Sequence, residues 1–190
     1  MTRPSLDVWA LELAQVTARR ATCLRRAVGC VLLDSVGHVL ATGYNGVSRG
    51  KLHCNEPGKT GVTTRWQSIP ITQHSLDDTQ VMHYPHACEG AGAPSGQGLD
   101  TCQAIHAESN ALLQCSDVWS IYTCYTTVSP CMWCVRLLLN TSCERIVFCE
   151  EYPHPQAKQE WLFEPVRAWS GRVLEVPNGR RTWEQLSVGV

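Results

Sequence analysis

The amino-acid sequence predicts an α/β protein, a three-layer α-β-α sandwich built around a central mixed five-stranded sheet. Three observations carry that expectation. After an opening helix, strand-like and helix-like segments follow in the order β-β-α-β-α-β-α-β, the alternation of layered α/β folds. The first two strand-like runs, "AVGCVLLD" and "HVLATGYNG", flank the turn residues Ser35, Val36 and Gly37 and read as a hairpin. At 190 residues, with no internal repeat, the chain is long enough for one domain with a real core. Residues 1–190 are therefore expected to form a single domain, with a long loop insertion at about 50–101 and a short tail after 177.

The elements follow from local chemistry. Ser5 suits the N-cap of the first helix and Asp7 its positive first turn. Trp9, Leu13 and Val16 recur at helical spacing, which carries that helix to about Arg20. From Gly50 to about Thr101 the chain is rich in Gly, Pro, Ser, Thr and His, with no sustained period. A loop that long is uncommon in a compact domain unless it is functional or held by something. Order returns with a helix beginning near His106. "WSIYTCYTTV" then reads as a strand, "SPCMWCVRLLLN" as a helix and "RIVFCEE" as a strand. "KQEWLFEPVRAW" reads as a helix interrupted at Pro165, and "GRVLEVP" as the last strand. Pro177 and Gly179 then release the tail.

Composition narrows the function. Net charge is -1 and the pI about 6.6, so nothing advertises a polyanionic partner, and nucleic acid is not the expected ligand. Arg19, Arg20, Arg25 and Arg26 do gather in one segment, for which a solvated helix end is the plain reading. Asp7 and Glu12 interrupt the N-terminus where a signal peptide needs an apolar stretch, and no run approaches the roughly 18 apolar residues of a membrane span. A cytoplasmic, reducing compartment is expected, with no membrane partner. There the eleven cysteines are not expected to be disulfides. Cys30, Cys115, Cys124, Cys143 and Cys149 sit in apolar or strand-like surroundings and read as small buried hydrophobes. The other six have company that suggests metal.

Two stretches carry chemistry. In "TVSPCMWC", Ser129 is a good N-cap and Pro130 suits the first helical position, so Cys131 and Cys134 share one face of a first turn. The dipole at that end favours thiolates, the form that binds metal. C-x-x-C alone also fits a redox pair, but the thioredoxin-like context is missing. In "AIHAESNALLQ", His106 and Glu108 are two apart and would diverge in mid-helix, whereas at a helix start both lean over its end. Two thiolates and an imidazole make a three-ligand zinc site with one position open for water. A glutamate beside that position, itself no ligand, is what proton shuttling requires. The pattern H-x-E…P-C-x-x-C is the signature of zinc deaminases acting on cytosine or adenine.

On "TCLRRAVGCVLL", "ATGYNG", "PSGQGLDTCQAIHAESNAL", "YTTVSPCMWC" and "RIVFCEEY", the chain resembles the cytidine deaminase superfamily. "TGYNG" and the long insertion before "IHAE" are similar to the deoxycytidylate (dCMP) deaminases of bacteria and phages. The resemblance implies a cytidine deaminase-like fold and hydrolytic deamination of dCMP to dUMP and ammonia, supplying dUMP for thymidylate synthesis. It implies zinc on His106, Cys131 and Cys134, with Glu108 carrying protons to ring N3 and to the departing ammonia. It also places Asn45 on the deoxyribose and the backbone around Ala107 and Ser129 near the base. Arg25, Arg26 and Tyr152 are candidates for the phosphate, because a monophosphate needs a donor and arginine offers a bidentate fork. Relatives of this kind are often hexamers, activated by dCTP and inhibited by dTTP, with Gly43, Tyr44, Asn45 and Gly46 associated with that allosteric site. Locally the same residues read as a strand and an Asn-Gly turn.

Cys23, Cys54, Cys88 and Cys102 match cysteines that recur in such relatives. Four thiolates close a structural zinc site, which would staple the long loop. His83 or His86 in "HYPHAC" could replace Cys88, and unligated thiols are the other reading. Residues 55 to about 92 match nothing in the resemblance. Three rivals stay open. The enzyme could act on another cytosine substrate, such as dCTP, cytidine or a modified cytosine nucleotide. It could act on single-stranded nucleic acid, which the seven tryptophans keep in view. A non-catalytic zinc module is the third, although it has no need of Glu108.

Overall fold

The computed structural model describes residues 2–56, 87–93, 97–98, 101–152, 155–162 and 181–188. In chain order these form α1 (Leu6–Ala18), β1 (Gly29–Leu33), β2 (Val39–Tyr44), β3 (Gly46–Val47), a single 3-10 turn (Glu89–Gly92) and β4 (Ala104–Ile105). Then come α2 (Ala107–Gln114), β5 (Thr123–Val128), α3 (Met132–Leu138), β6 (Arg145–Glu150), α4 (Pro155–Leu162) and β7 (Thr182–Gln185). The sheet has five strands in the order β2-β1-β5-β6-β7. β1 runs antiparallel to β2 and β5, while β5, β6 and β7 are mutually parallel, so the sheet is mixed as the sequence predicts. β3 and β4 form a separate antiparallel ribbon.

The three layers follow from the period-2 alternation of the strands. Val31, Leu33, Tyr125 and Val147 face α1, where Ala10, Leu11 and Ala14 cover them. Cys30, Leu32, Cys124, Ile146 and Phe148 face the other way, against residues of α2, α3 and α4 such as Ala107, Val135, Leu138 and Trp161. Every residue of β1 is buried, the pattern of a strand covered on both faces. Among the described residues no helix is long and apolar enough to cross a membrane.

α1 begins where expected, with Ser5 Oγ accepting from Val8 N at 3.3 Å and Asp7 in the first turn. Its inner face is not the large-residue set that marks the helical spacing. Trp9 and Val16 are 39% and 55% exposed, and the fully buried residues are Ala10, Leu11 and Ala14. The cause is a close approach to β1: a Cβ on Gly29 would sit 2.0 Å from Ala14 O. Only small side chains fit between backbones that near.

The C-terminal segment corrects the expectation of a free tail after 177. Thr182–Gln185 is the edge strand β7, parallel to β6. The segment "TWEQ" is polar because an edge strand beside solvent needs few apolar side chains, and its Trp183 packs edge-on against Phe148, centroids 5.4 Å apart. Trp161 Nε1 donates to Thr182 O at 2.9 Å. Arg145 on β6 donates to Glu184 at 2.8 Å and to Asp7 of α1 at 3.3 Å, and Tyr125 Oη donates to Asp7 at 2.6 Å. "GRVLEVP", expected as the last strand, and Pro165, expected to interrupt a helix, lie outside the described residues.

Candidate metal centre and active site

Two helix starts build the site. His106 is the N-cap of α2, extended in backbone, and its carbonyl accepts Asn110 N at 2.9 Å. Glu108 lies in the first turn. Cys131 is the N-cap of α3 and accepts Val135 N at 2.9 Å, with Cys134 three residues on. This corrects the capping role expected of Ser129, whose Oγ accepts Tyr152 N at 2.7 Å instead. The thiols still occupy the dipole end of the helix.

The helix starts meet. Cys131 Sγ lies 3.3 Å and Cys134 Sγ 3.4 Å from His106 Nδ1, and the two sulfurs are 3.7 Å apart. Ligands tetrahedrally placed on zinc, at ordinary Zn–S and Zn–N lengths, stand about 3.8 Å apart for S···S and about 3.6 Å for S···N. The three donors fit that ion. Among the described residues this is the group of three or more ligand atoms lying mutually within 4.8 Å. Hydrogen bonding to Cys134 and His106 holds the Cys131 thiol down to about 4, so the site stabilises a thiolate. The bond to Cys131 lifts His106 to about 9.

Glu108 is 4% exposed, and its Oε2 lies 3.5 Å from Cys134 Sγ. Burial pushes its carboxyl above the ordinary value, against a pull downward from the neighbouring His106. It thus sits beside the ligand triangle without belonging to it. Ser109 Oγ, 3.8 Å from Cys134 Sγ, is a neighbour that the motif did not single out.

α2 is held to the sheet by contacts that place both functional residues. A Cβ on Gly43 of β2 would lie 2.2 Å from Ala107 O and 2.4 Å from Ala111 N, so the helix rests directly on the strand backbone. Asn110 Nδ2 donates to Tyr44 O at 2.7 Å and Gln114 Nε2 to Thr42 O at 3.1 Å. Sequence reasoning missed both; their spacing of four on a short helix was the available signal.

A cavity of about 530 Å³ opens above the triangle, a size suited to a small ligand. Asn45, Ala107, Ser129, Arg25, Arg26 and Tyr152, all expected at the substrate, line it together with His106, Glu108 and Cys131. Asn45 is almost fully used by the chain: Oδ1 accepts Val28 N at 2.8 Å and Nδ2 donates to Arg26 O at 2.7 Å. Arg25 Nη2 donates to Gln97 O at 2.8 Å. Arg26 pairs with Glu150, a partner 124 residues away that no local pattern announces.

The four remaining cysteines form two pairs, no three of their sulfurs lying mutually within 4.8 Å. Cys23 hydrogen-bonds Cys102, which holds the Cys23 thiol down to about 6 and pushes Cys102 up. Cys54 contacts Cys88 in a small buried cluster with Ala91, against which Cys102 and Leu24 pack. His83 and His86 lie outside the described residues. His53, next to Cys54 and not singled out by the sequence, has a buried Nδ1 with no hydrogen-bond partner. Cys30, Cys124 and Cys143 are buried as expected, whereas Cys115 and Cys149 are only partly so, and all eleven cysteines are free thiols.

Comparison with known proteins places this geometry. The dCMP deaminase of cyanophage S-TIM5, solved with dCMP and dUMP, superposes with a TM-score of 0.52 at 17% identity, over 85% of this chain and 93% of that one. This likeness is one of fold, the cytidine deaminase-like sandwich. The deoxycytidylate deaminase of Mycobacterium phage D29 is 32% identical over 152 residues, 80% of this chain and 99% of the phage protein. That of Schizosaccharomyces pombe is 33% identical over 152 residues, 79% of this chain but 38% of the yeast protein. The chain thus spans about two fifths of the length of the yeast relatives, with the Saccharomyces cerevisiae deoxycytidylate deaminase covered over 40%. The cytidine and deoxycytidylate deaminase zinc-binding region matches residues 4–150, a span that holds the ligand triangle, Glu108 and most of the cavity wall. This chain belongs to that zinc-binding deaminase family.

Proposed function

We propose that the protein hydrolyses dCMP to dUMP and ammonia. The observation that carries this is the His106–Cys131–Cys134 triangle with a buried Glu108 beside it, at the base of a cavity that Arg26 also lines. His106, Cys131 and Cys134 would hold zinc, which supplies a Lewis acid that makes water a nucleophile near neutral pH. The rest is the work of the chain. Glu108, with its proton affinity raised by burial, takes a proton from water and passes it to ring N3, then carries the proton of the new C4 hydroxyl to the leaving amino nitrogen as the C4 carbonyl forms. Water is added at C4 and ammonia is expelled. Apolar Leu24, Val28, Ala91 and Val128 exclude bulk water around the base. Asn45, fixed by Val28 and Arg26, keeps one amide N–H for the deoxyribose. Arg26 takes the phosphate. Arg25, tied to Gln97 O, supports the wall beside it.

The test is ammonia release from dCMP by zinc-loaded protein, beside dCTP, deoxycytidine and single-stranded DNA. Turnover on dCMP alone supports the proposal. Turnover on another substrate keeps the chemistry and discards dCMP, and silence on all four favours a non-catalytic zinc module.

We further propose a second, structural zinc on Cys23, Cys54, Cys88 and Cys102, with His53, His83 or His86 as alternates. Its support is the packing of one thiol pair, Cys23 and Cys102, against the other, Cys54 and Cys88, and the lowered Cys23, which favours thiolate. Two zinc ions per chain, falling to one in Cys88→Ser, is the expected metal content. One zinc per chain in the unaltered protein refutes it. Hexameric assembly and control by dCTP and dTTP rest on family resemblance alone, since Gly43 has a packing reason of its own.

A further inference from the structure

Resting on the dCMP reading above, we propose that Glu150 occupies the phosphate seat on Arg26 in the empty site and yields it to a nucleoside monophosphate. Glu150 is then a residue that tempers the preference for phosphorylated substrates, because phosphate must displace it from Arg26. The geometry has three parts. The backbone of Arg26 is pinned, because its carbonyl accepts Asn45 Nδ2 at 2.7 Å. The backbone of Glu150 is pinned at the end of β6, opposite Val128, with its carbonyl accepting Ser129 N at 2.8 Å. The two side chains meet beside the cavity as an ion pair, and they are 35% and 67% exposed.

Two fixed backbones thus bring a guanidinium and a carboxylate together, while the side chains remain solvated enough to separate. An exposed pair of this kind is weak, so exchanging it costs little. A phosphate dianion offers the same forked acceptor geometry with more charge and replaces the carboxylate on the arginine. A substrate without phosphate has no means of displacing Glu150 and gains nothing from Arg26. Arg25 lines the same cavity with Nη2 on Gln97 O, whereas Arg26 is the guanidinium that carries the Glu150 carboxylate.

The test compares wild-type protein, Glu150→Gln and Arg26→Ala, all zinc-loaded. In Glu150→Gln, KM for dCMP and the inhibition constant of inorganic phosphate are expected to fall roughly two- to fivefold, the scale of an exposed ion pair. Its kcat on dCMP and its kcat/KM on deoxycytidine stay unchanged. Arg26→Ala raises KM for dCMP and abolishes phosphate inhibition. Calorimetric titration of inorganic phosphate reads the same competition without turnover, so it decides the proposal even where dCMP is not the substrate. An unchanged phosphate affinity in Glu150→Gln overturns the proposal. A weaker one also overturns it, because Glu150 would then be holding Arg26 in place rather than competing for it.

Discussion

The contact between Gly43 and α2 allows the link from packing to catalysis to be tested by one methyl group. In Gly43→Ala the new Cβ would lie 2.2 Å from Ala107 O, 2.4 Å from Ala111 N and 2.9 Å from Ala111 Cα, all backbone atoms that no rotamer change can move. Ordinary contact begins at 3.4 Å, so α2 must retreat by about 1 Å. His106 and Glu108 ride on the first turn of that helix, whereas Cys131 and Cys134 ride on α3 and stay. The ligand triangle therefore opens on one side, and Glu108 moves away from the reacting atoms. Overpacking of this kind costs about 1–3 kcal/mol of stability, and a 1 Å misplacement in a catalytic site costs on the order of 100-fold in rate. The control is Gly29→Ala, whose Cβ would meet Ala14 O at 2.0 Å and displace α1, which carries no site residue. Both variants are expected to melt earlier, by about 2–4 °C for each kcal/mol lost. Gly43→Ala alone is expected to lose kcat/KM on dCMP and zinc affinity, measured on the folded fraction well below the melting temperature. Equal catalytic loss in both variants, or intact catalysis in Gly43→Ala, would refute the claim that the seat of α2 on β2 sets the active geometry.

Other outcomes follow from the same contacts. Cys134→Ser removes one of three ligands, and zinc content at the active site is expected to fall well below one per chain after dialysis, read by elemental analysis. Asn45→Ala leaves the Val28 amide and the Arg26 carbonyl without their partner, which costs about 1–3 kcal/mol in denaturant unfolding and raises KM for dCMP. Hydrogen bonding to Arg145 holds the Glu184 carboxyl below its ordinary value, so the pair adds stability above the unfolded-state value of about 4.5. That contribution disappears as pH falls through the lower folded-state value. The difference in melting temperature between wild type and Glu184→Gln is therefore expected to be full at pH 6 and to shrink below pH 4.

The metal centre was legible because its determinants are local. His106 and Glu108 sit at one helix start and Cys131 and Cys134 at another, and spacing alone places each set. The fold class was legible from the alternation of segments. The inward face of α1 was not, because alanines face the core only on account of Gly29 on another element. Ser129 looked like a cap in isolation, but its hydroxyl is taken by Tyr152 N, 23 residues on. β7 was hidden by its polarity, since an edge strand is recognised by its neighbour and not by its own composition. The pairing of Arg26 with Glu150 depends on β1 starting where β6 ends, at one side of the sheet, which no window of sequence contains.

The central claim, that Glu108 moves the proton in deamination beside a metal held by His106, Cys131 and Cys134, has a direct test. dUMP formation from dCMP should be followed for wild type and Glu108→Gln at equal, measured zinc content. The account predicts retained zinc and a loss of kcat of about 100-fold or more in the variant, the usual contribution of a positioned acid–base group. A variant that keeps both its zinc and its turnover would contradict it.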